Sequence, residues 1–140
     1  MNYLIDTNIL SELRKPPGRR NQGVEQWFGQ ADPDSLFLSV LVVGEIRKGI
    51  EARRVSDPVQ GVALEAWLSR IIDGYFDRIL PIDLNAAQLW GRAQCIRPFP
   101  VIDGLLAATA QARGMVLVTR NVKDLDGWPV PDLLMNPFIE

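Results

Sequence analysis

The chain has 140 residues, no histidine, one cysteine and a net charge of −2, with 47% apolar and 23% charged residues. A single domain spanning residues 1–140, long enough to bury a real core, is therefore expected, and a disordered chain is not. The absence of histidine removes Ser-His-Asp and Cys-His catalysis, histidine-based zinc hydrolysis and histidine acid/base ribonuclease chemistry, while the charge balance removes a generally phosphate-coating surface.

In chain order, Asn2 to Ile5 predicts a short strand, and Asp6-Thr7-Asn8 a polar break before a helix over Ile9 to Arg14 that Pro16-Pro17-Gly18 ends. An amphipathic helix follows over Val24 to Gln30, then a strand over Leu36 to Val40, a helix over about Leu41 to Arg54, and a longer one from Pro58 to about Phe76. Arg78 to Ile82 reads as a third strand, and Asp83 as the N-cap of a helix through Ala93. After the loop Arg97 to Pro100, a helix begins near Asp103 and is closed by Gly114. Met115 to Thr119 is a continuous apolar strand, followed by a polar loop and a short last strand over Leu133 to Met135. Alternating strands and helices imply right-handed crossovers and a mainly parallel sheet between helical layers, an α/β/α sandwich. Ligands bind beyond the carboxyl ends of such strands, where Asp6, Arg120 and Asn121 fall.

Phosphate-cradling GxxxxGK[ST], GxGxxG and GxSxG segments are all missing. Asp6 interrupts the first apolar stretch before the core of a signal peptide can form, and no apolar run approaches the length of a membrane span, so a cytoplasmic location is expected. Cys95 is expected to be a small core filler.

Four acids stand at the ends of apolar runs or on the apolar face of a helix: Asp6, Glu45, Asp103 and Asp124. An isolated carboxylate is costly to desolvate, so a cation should compensate them, and a divalent metal is the simplest one. Asp6 could serve as an N-cap, yet Thr7 and Asn8 could cap equally well, and an Asp ending a first parallel strand points into the usual site. Glu45 shares its face with Leu41, Val42, Ile46 and Ile50, and neither an i+3 nor an i+4 ion pair accounts for it. Asp103 reads equally as a cap or as a ligand at a helix N-terminus, and Asp124 as a loop acid or a site residue. Asn121, just beyond a strand end, is placed to orient a ligand or a water.

The segments Tyr3 to Glu12, Val43 to Gly49, Val101 to Ala110 and Val118 to Asp124 resemble, in order and separation, the four signature blocks of PIN-domain proteins, and most closely the VapC toxins of type II toxin–antitoxin systems, including their FitB-like branch. That resemblance implies an Mg²⁺- or Mn²⁺-dependent endoribonuclease, held inactive by a small antitoxin and usually homodimeric, with larger toxin–antitoxin complexes also formed. Asp6, Glu45 and Asp103 match the family's acidic residues. Asn121 stands where a fourth acid commonly follows the Thr-Arg pair, which leaves Asn121 or Asp124 to complete the site. Thr7 and Asn8 match supports of the first aspartate, and Thr119 the polar residue beside the fourth position.

Mg²⁺ prefers oxygen ligands and keeps several waters, so Asp6 and Asp103 are expected to hold it while Glu45 and Asn121 orient waters, with one or two ions accommodated. Arg120, Lys123, Arg47 and Lys48 are the expected phosphate contacts on a single-stranded or looped RNA. The alternative is a catalytically silent PIN-like module that binds RNA or a protein. Exposed surface among Trp27, Trp67 and Trp90 is expected to line a dimer or antitoxin groove.

Overall fold

The computed structural model describes residues 1–140. Its elements in order are β1 (Tyr3–Ile5), α1 (Thr7–Arg14), α2 (Gln22–Gln30), β2 (Leu36–Ser39), α3 (Val40–Ser56), α4 (Pro58–Gly74), β3 (Ile79–Leu80), α5 (Leu84–Gln94), α6 (Val101–Arg113), β4 (Val116–Val118) and β5 (Leu134–Met135). The five strands form one sheet in the order β3-β2-β1-β4-β5, flanked by helices. Every pairing is parallel, so the expected mainly parallel α/β sheet is fully parallel.

The central strands are largely apolar because both faces of the sheet are covered. Leu4, Ile5, Leu38, Leu117 and Val118 have no exposed surface and belong to a core of 24 buried residues. After β1 the chain builds outward to β2 and β3, then crosses to the other side of β1 for β4 and β5. This reversal makes β1 and β4 the switch point of the sheet, with Ile5 in register with Val118. A crevice opens beyond the strand ends at such a point.

Helix starts lie earlier than the apolar pattern indicates. Asp6 is the N-cap of α1, its carboxylate accepting from the Thr7 N–H, so the helix begins directly at Thr7. The Ser39 hydroxyl likewise accepts from the Leu41 N–H, which turns the chain into α3 and takes Val40 out of β2. For α6 the cap is Pro100, and Asp103 lies in the first turn, so it is free of the capping role offered as its alternative. Gly114 closes α6 in the left-handed conformation, φ 65°. No helix is long and apolar enough to cross a membrane.

One expectation about a single residue fails. Cys95 follows the end of α5 and is exposed, because the core there is already closed by Ala93. Trp27, Trp67 and Trp90 are half-buried and pack against the core, and Trp67 also lines a surface cavity. Trp27 meets Tyr3 edge to face at 5.4 Å, and Arg14 lies over Trp67. The most exposed large apolar groups are scattered residues such as Val55, Val59, Phe76 and Leu84.

Helices α3 and α4 are laced together by four charges. Arg47 grips Glu65 with both terminal nitrogens at 2.7 Å and reaches Glu51 at 3.2 Å; Arg54 reaches Glu65 at 2.8 Å and Glu51 at 3.2 Å. The bidentate Arg47–Glu65 fork holds geometry better than a single surface ion pair. Hydrogen bonds from Arg47 and Arg54 lower the Glu65 carboxyl to about 2, from an ordinary 4.5. With the folded value depressed, its contribution to stability is complete above pH 4.5 and is lost as the pH falls toward 2. The melting temperature of the parent is therefore expected to fall more steeply than that of Glu65→Gln between pH 5 and 2.5. Parallel melting curves for the two proteins would show the lacing to be energetically idle.

Candidate metal centre

Asp6 follows the last residue of β1, and its N–H donates to the Val118 carbonyl at 3.0 Å, which carries the ladder one step past the strand. Its side chain is only 3% exposed. One carboxylate oxygen accepts from the Thr7 N–H at 2.7 Å, and the other from the Thr119 hydroxyl at 2.7 Å. Asn8 Nδ2 lies 3.4 Å from Asp6 Oδ2 and from Thr119 Oγ1, while Asn8 Oδ1 accepts from the Arg120 N–H at 3.2 Å. Thr119, itself fully buried, accepts in turn from the Asn121 N–H at 3.0 Å. The ends of β1 and β4 are thus joined by side chains where the backbone ladder stops.

Glu45 reaches this crevice from α3, with Oε1 accepting from the Thr7 hydroxyl at 2.8 Å. Asp103 enters from the first turn of α6, and Asn121 Nδ2 lies 3.5 Å from its Oδ1. Asp6, Glu45, Asp103 and Asn121 together line a cavity of about 430 Å³. The three acids have no lysine or arginine ion partner. Burial, reinforced by the charge of Glu45, raises the Asp6 carboxyl despite the Thr119 and Thr7 hydrogen bonds. Burial, with the charge of Asp6 next, raises Asp103. Asp6 and Asp103 are thus enclosed with like charge beside them, an arrangement that a cation relieves.

The donor set fits a hard divalent cation: every group is oxygen-bearing, and soft sulfur and imidazole ligands are absent. No three acidic side chains stand as a closed metal cage; an ion such as Mg²⁺ needs only one or two carboxylates, since it retains much of its water. Asp6 and Asp103 are the two acids whose ionisation is most opposed without such an ion.

The other expected residues are spread more widely. Thr7, Asn8 and Arg120 line the same cavity. Thr119 lies beneath it, bonded to Asp6. Lys48 lines a neighbouring groove that shares Glu45 with the acidic cavity. Arg47 is committed to Glu65 and Glu51 on the outer side of α3. Lys123 borders a separate cavity of about 500 Å³ under residues 122–134, which none of the three acids reaches. Asp124 is outside the acidic cavity and exposed; its charge is felt by Asp103, as the weakest influence there, and its carbonyl accepts from Arg97.

Five residues near the acids, Glu12, Lys15, Phe138, Arg14 and Arg53, are not among the site residues expected from the sequence. Glu12 and Lys15 border the cavity as an ion pair of 2.9 Å, and Phe138 is its one apolar lining residue. Arg53, with Arg14, lines a further cavity that shares Thr7 and Glu45 with the acidic one, and neither arginine has an acidic partner. In the sequence Arg14 adjoins Lys15 and Arg53 adjoins Arg54; only the fold separates Arg14 and Arg53, which lack acidic partners, from the neutralised Arg47 and Arg54.

Comparison with known proteins agrees with this architecture. Toxin FitB of Neisseria gonorrhoeae is 28% identical over 123 residues, covering 84% of this chain and 86% of that protein. VapC ribonuclease Y4jK of Sinorhizobium fredii is 29% identical over 128 residues, covering 88% and 89%. The crystal structure of FitAcB from Neisseria gonorrhoeae matches with a TM-score of 0.82 at 26% identity, over 96% of this chain and 97% of that one. The PIN domain model matches residues 3–125, and with all four acid-bearing segments in their order, the chain belongs to the PIN-domain family.

Proposed function

We propose that residues 1–140 act as a single Mg²⁺- or Mn²⁺-dependent endoribonuclease domain, the toxin of a type II toxin–antitoxin pair. The reading includes a cognate antitoxin that holds it inactive and assembly as a homodimer or a larger toxin–antitoxin complex. The observation that carries it is the convergence of Asp6, Glu45 and Asp103, without a basic partner, at the switch point of a parallel sheet. Relatives named as a toxin and as a VapC ribonuclease, and a similar structure of the FitAcB complex, support the same assignment.

Asp6 and Asp103 would hold the ion. When bound, a divalent cation makes water a stronger nucleophile and offsets the charge that grows on the phosphate. Glu45, oriented by Thr7, is in position to accept a proton or a hydrogen bond from the attacking water. Asn121 supplies an amide beside Asp103, where a fourth acid would add another negative charge. Arg120 at the rim, with Lys48, Arg14 and Arg53 in the adjoining grooves, offers positive charge to flanking phosphates. RNA would enter as a single-stranded or looped segment, since such segments present their backbone and bases freely.

Purified protein is expected to cut a mixed tRNA and rRNA pool in the presence of Mg²⁺ or Mn²⁺ and to stop in EDTA. Failure of folded, antitoxin-free protein to cut any RNA would transfer the assignment to a non-cleaving binding module.

A further inference from the structure

Asn136 to Glu140 return across the molecule to the rim of the acidic cavity. Asn21, the N-cap of α2, fixes this strap with both halves of its amide: Nδ2 donates to the Ile139 carbonyl at 2.7 Å, and Oδ1 accepts from the Ile139 N–H at 3.0 Å. The Asn21 N–H is itself held by the largely buried Glu12 carboxylate at 2.8 Å, and Glu12 by Lys15. Gly23 lets the strap lie directly on α2, because a Cβ there would collide with the Pro137 carbonyl and the Ile139 side chain. The Phe138 N–H donates to Asn136 Oδ1 at 3.0 Å, which shapes the turn before the ring.

The strap delivers two groups to Arg120. The Phe138 ring lies 4.5 Å from the guanidinium carbon, and Glu140 approaches Nη2 at 3.4 Å. Arg120 and Phe138 both line the acidic cavity, and the Arg120 backbone is already fixed by Asn8. An arginine side chain left free in water would sample many rotamers; a ring beneath its plane and a backbone fixed by hydrogen bonding remove most of that freedom. Glu140 is exposed and meets only one nitrogen, so its contact is the one a phosphate can replace.

We propose that the Asn136–Glu140 strap is a positioning device for substrate: Phe138, seated by Asn21, holds the Arg120 guanidinium at the cavity mouth as a clamp for an RNA backbone phosphate. This rests on the reading of the cavity as an RNA site. Phe138 acts through Arg120, so it is a positioning residue, and the phosphate contact belongs to Arg120. The strap also explains why Glu12 is worth enclosing beside three other acids: its carboxylate, held below the usual range chiefly by Lys15, anchors the cap that anchors the strap.

The test uses the full chain and a fluorescein-labelled single-stranded RNA, with Ca²⁺ in place of Mg²⁺ so that binding is read without turnover. Arg120→Gln is expected to weaken binding about tenfold and to lower the salt-dependence slope by about 0.7, the share of one phosphate contact. Phe138→Ala and Phe138→Leu are expected to weaken it about threefold, as is Gly23→Ala, while Phe138→Tyr, which keeps the ring face, stays near the parent. Adding Phe138→Ala to Arg120→Gln should produce no further loss, since the ring has then nothing to hold. Multiplying losses in the double variant, or an unchanged affinity in Phe138→Ala, would overturn the clamp. Parent protein that binds RNA but never cuts it with Mg²⁺ or Mn²⁺ would sink the nuclease reading and leave the clamp to the variants. Parent protein that cuts without any effect of Phe138→Ala on affinity would sink the clamp alone.

Discussion

Asp103→Asn is expected to lower RNA cleavage by about 10³-fold while raising the melting temperature of the metal-free protein. The loss of rate follows from removing one of two carboxylates proposed to hold the ion, an interaction contributing several kcal/mol to the transition state, where each 1.4 kcal/mol is about tenfold. The gain in stability follows from the electrostatics. Burial and the neighbouring Asp6 charge raise the Asp103 carboxyl above its ordinary 3.8, so at neutral pH its ionised form opposes folding. Asparagine fills the same space without the charge and keeps an oxygen for Asn121. Because the folded value is raised, the advantage of the variant is full above it and closes as the pH falls toward 3.8. Melting curves in EDTA at pH 7.5 and pH 4 read this directly, and Mg²⁺ should stabilise the parent more than the variant. A variant that melts lower than the parent at neutral pH would show that Asp103 supports the fold instead of straining it.

The second large effect is expected in the sheet. Leu117→Ala should cost about 3 kcal/mol, within the range for a fully enclosed leucine and a substantial part of the roughly 5–15 kcal/mol that holds a domain folded. Leu117 has no exposed surface and sits in β4 between Leu4 of β1 and Leu134 of β5, so neighbours on both sides restrict collapse of the cavity. Urea unfolding should show a lower midpoint at unchanged slope. A cost under about 1 kcal/mol would mean that the sheet relaxes around the gap, and β4 would then be a poor support for Thr119 two residues on.

The alternation of apolar runs and helical stripes made the sheet class legible, and the acids that interrupt those runs made Asp6, Glu45 and Asp103 legible as a group. Boundaries were harder, for local reasons. The apolar run through Val40 looks like strand, but the Ser39 hydroxyl captures the Leu41 N–H and starts a helix. Arg78 and Ile82 extend the pattern of β3, yet pairing is confined to Ile79 and Leu80. Asp103 looked like a cap because it follows a proline loop; the Pro100 carbonyl accepts from the Gly104 N–H, so the helix has already begun. In the site, Arg47 read as a phosphate contact because its neutralising partner, Glu65, belongs to the next helix, 18 positions along the chain. Phe138 carried no local signal, since its place depends on Asn21 meeting Ile139 across 118 positions.

Both outer strands of the sheet, β3 and β5, are two residues long. An edge so short offers a neighbouring chain almost no free backbone donors and acceptors, which guards against edge-to-edge aggregation. It also disfavours one route of association, the extension of this sheet by a strand from a second copy or a peptide. A protein that docks on this molecule would therefore recognise side chains on its helices and loops, so that partner choice rests on surface residues apart from the strand ends that carry the proposed metal centre.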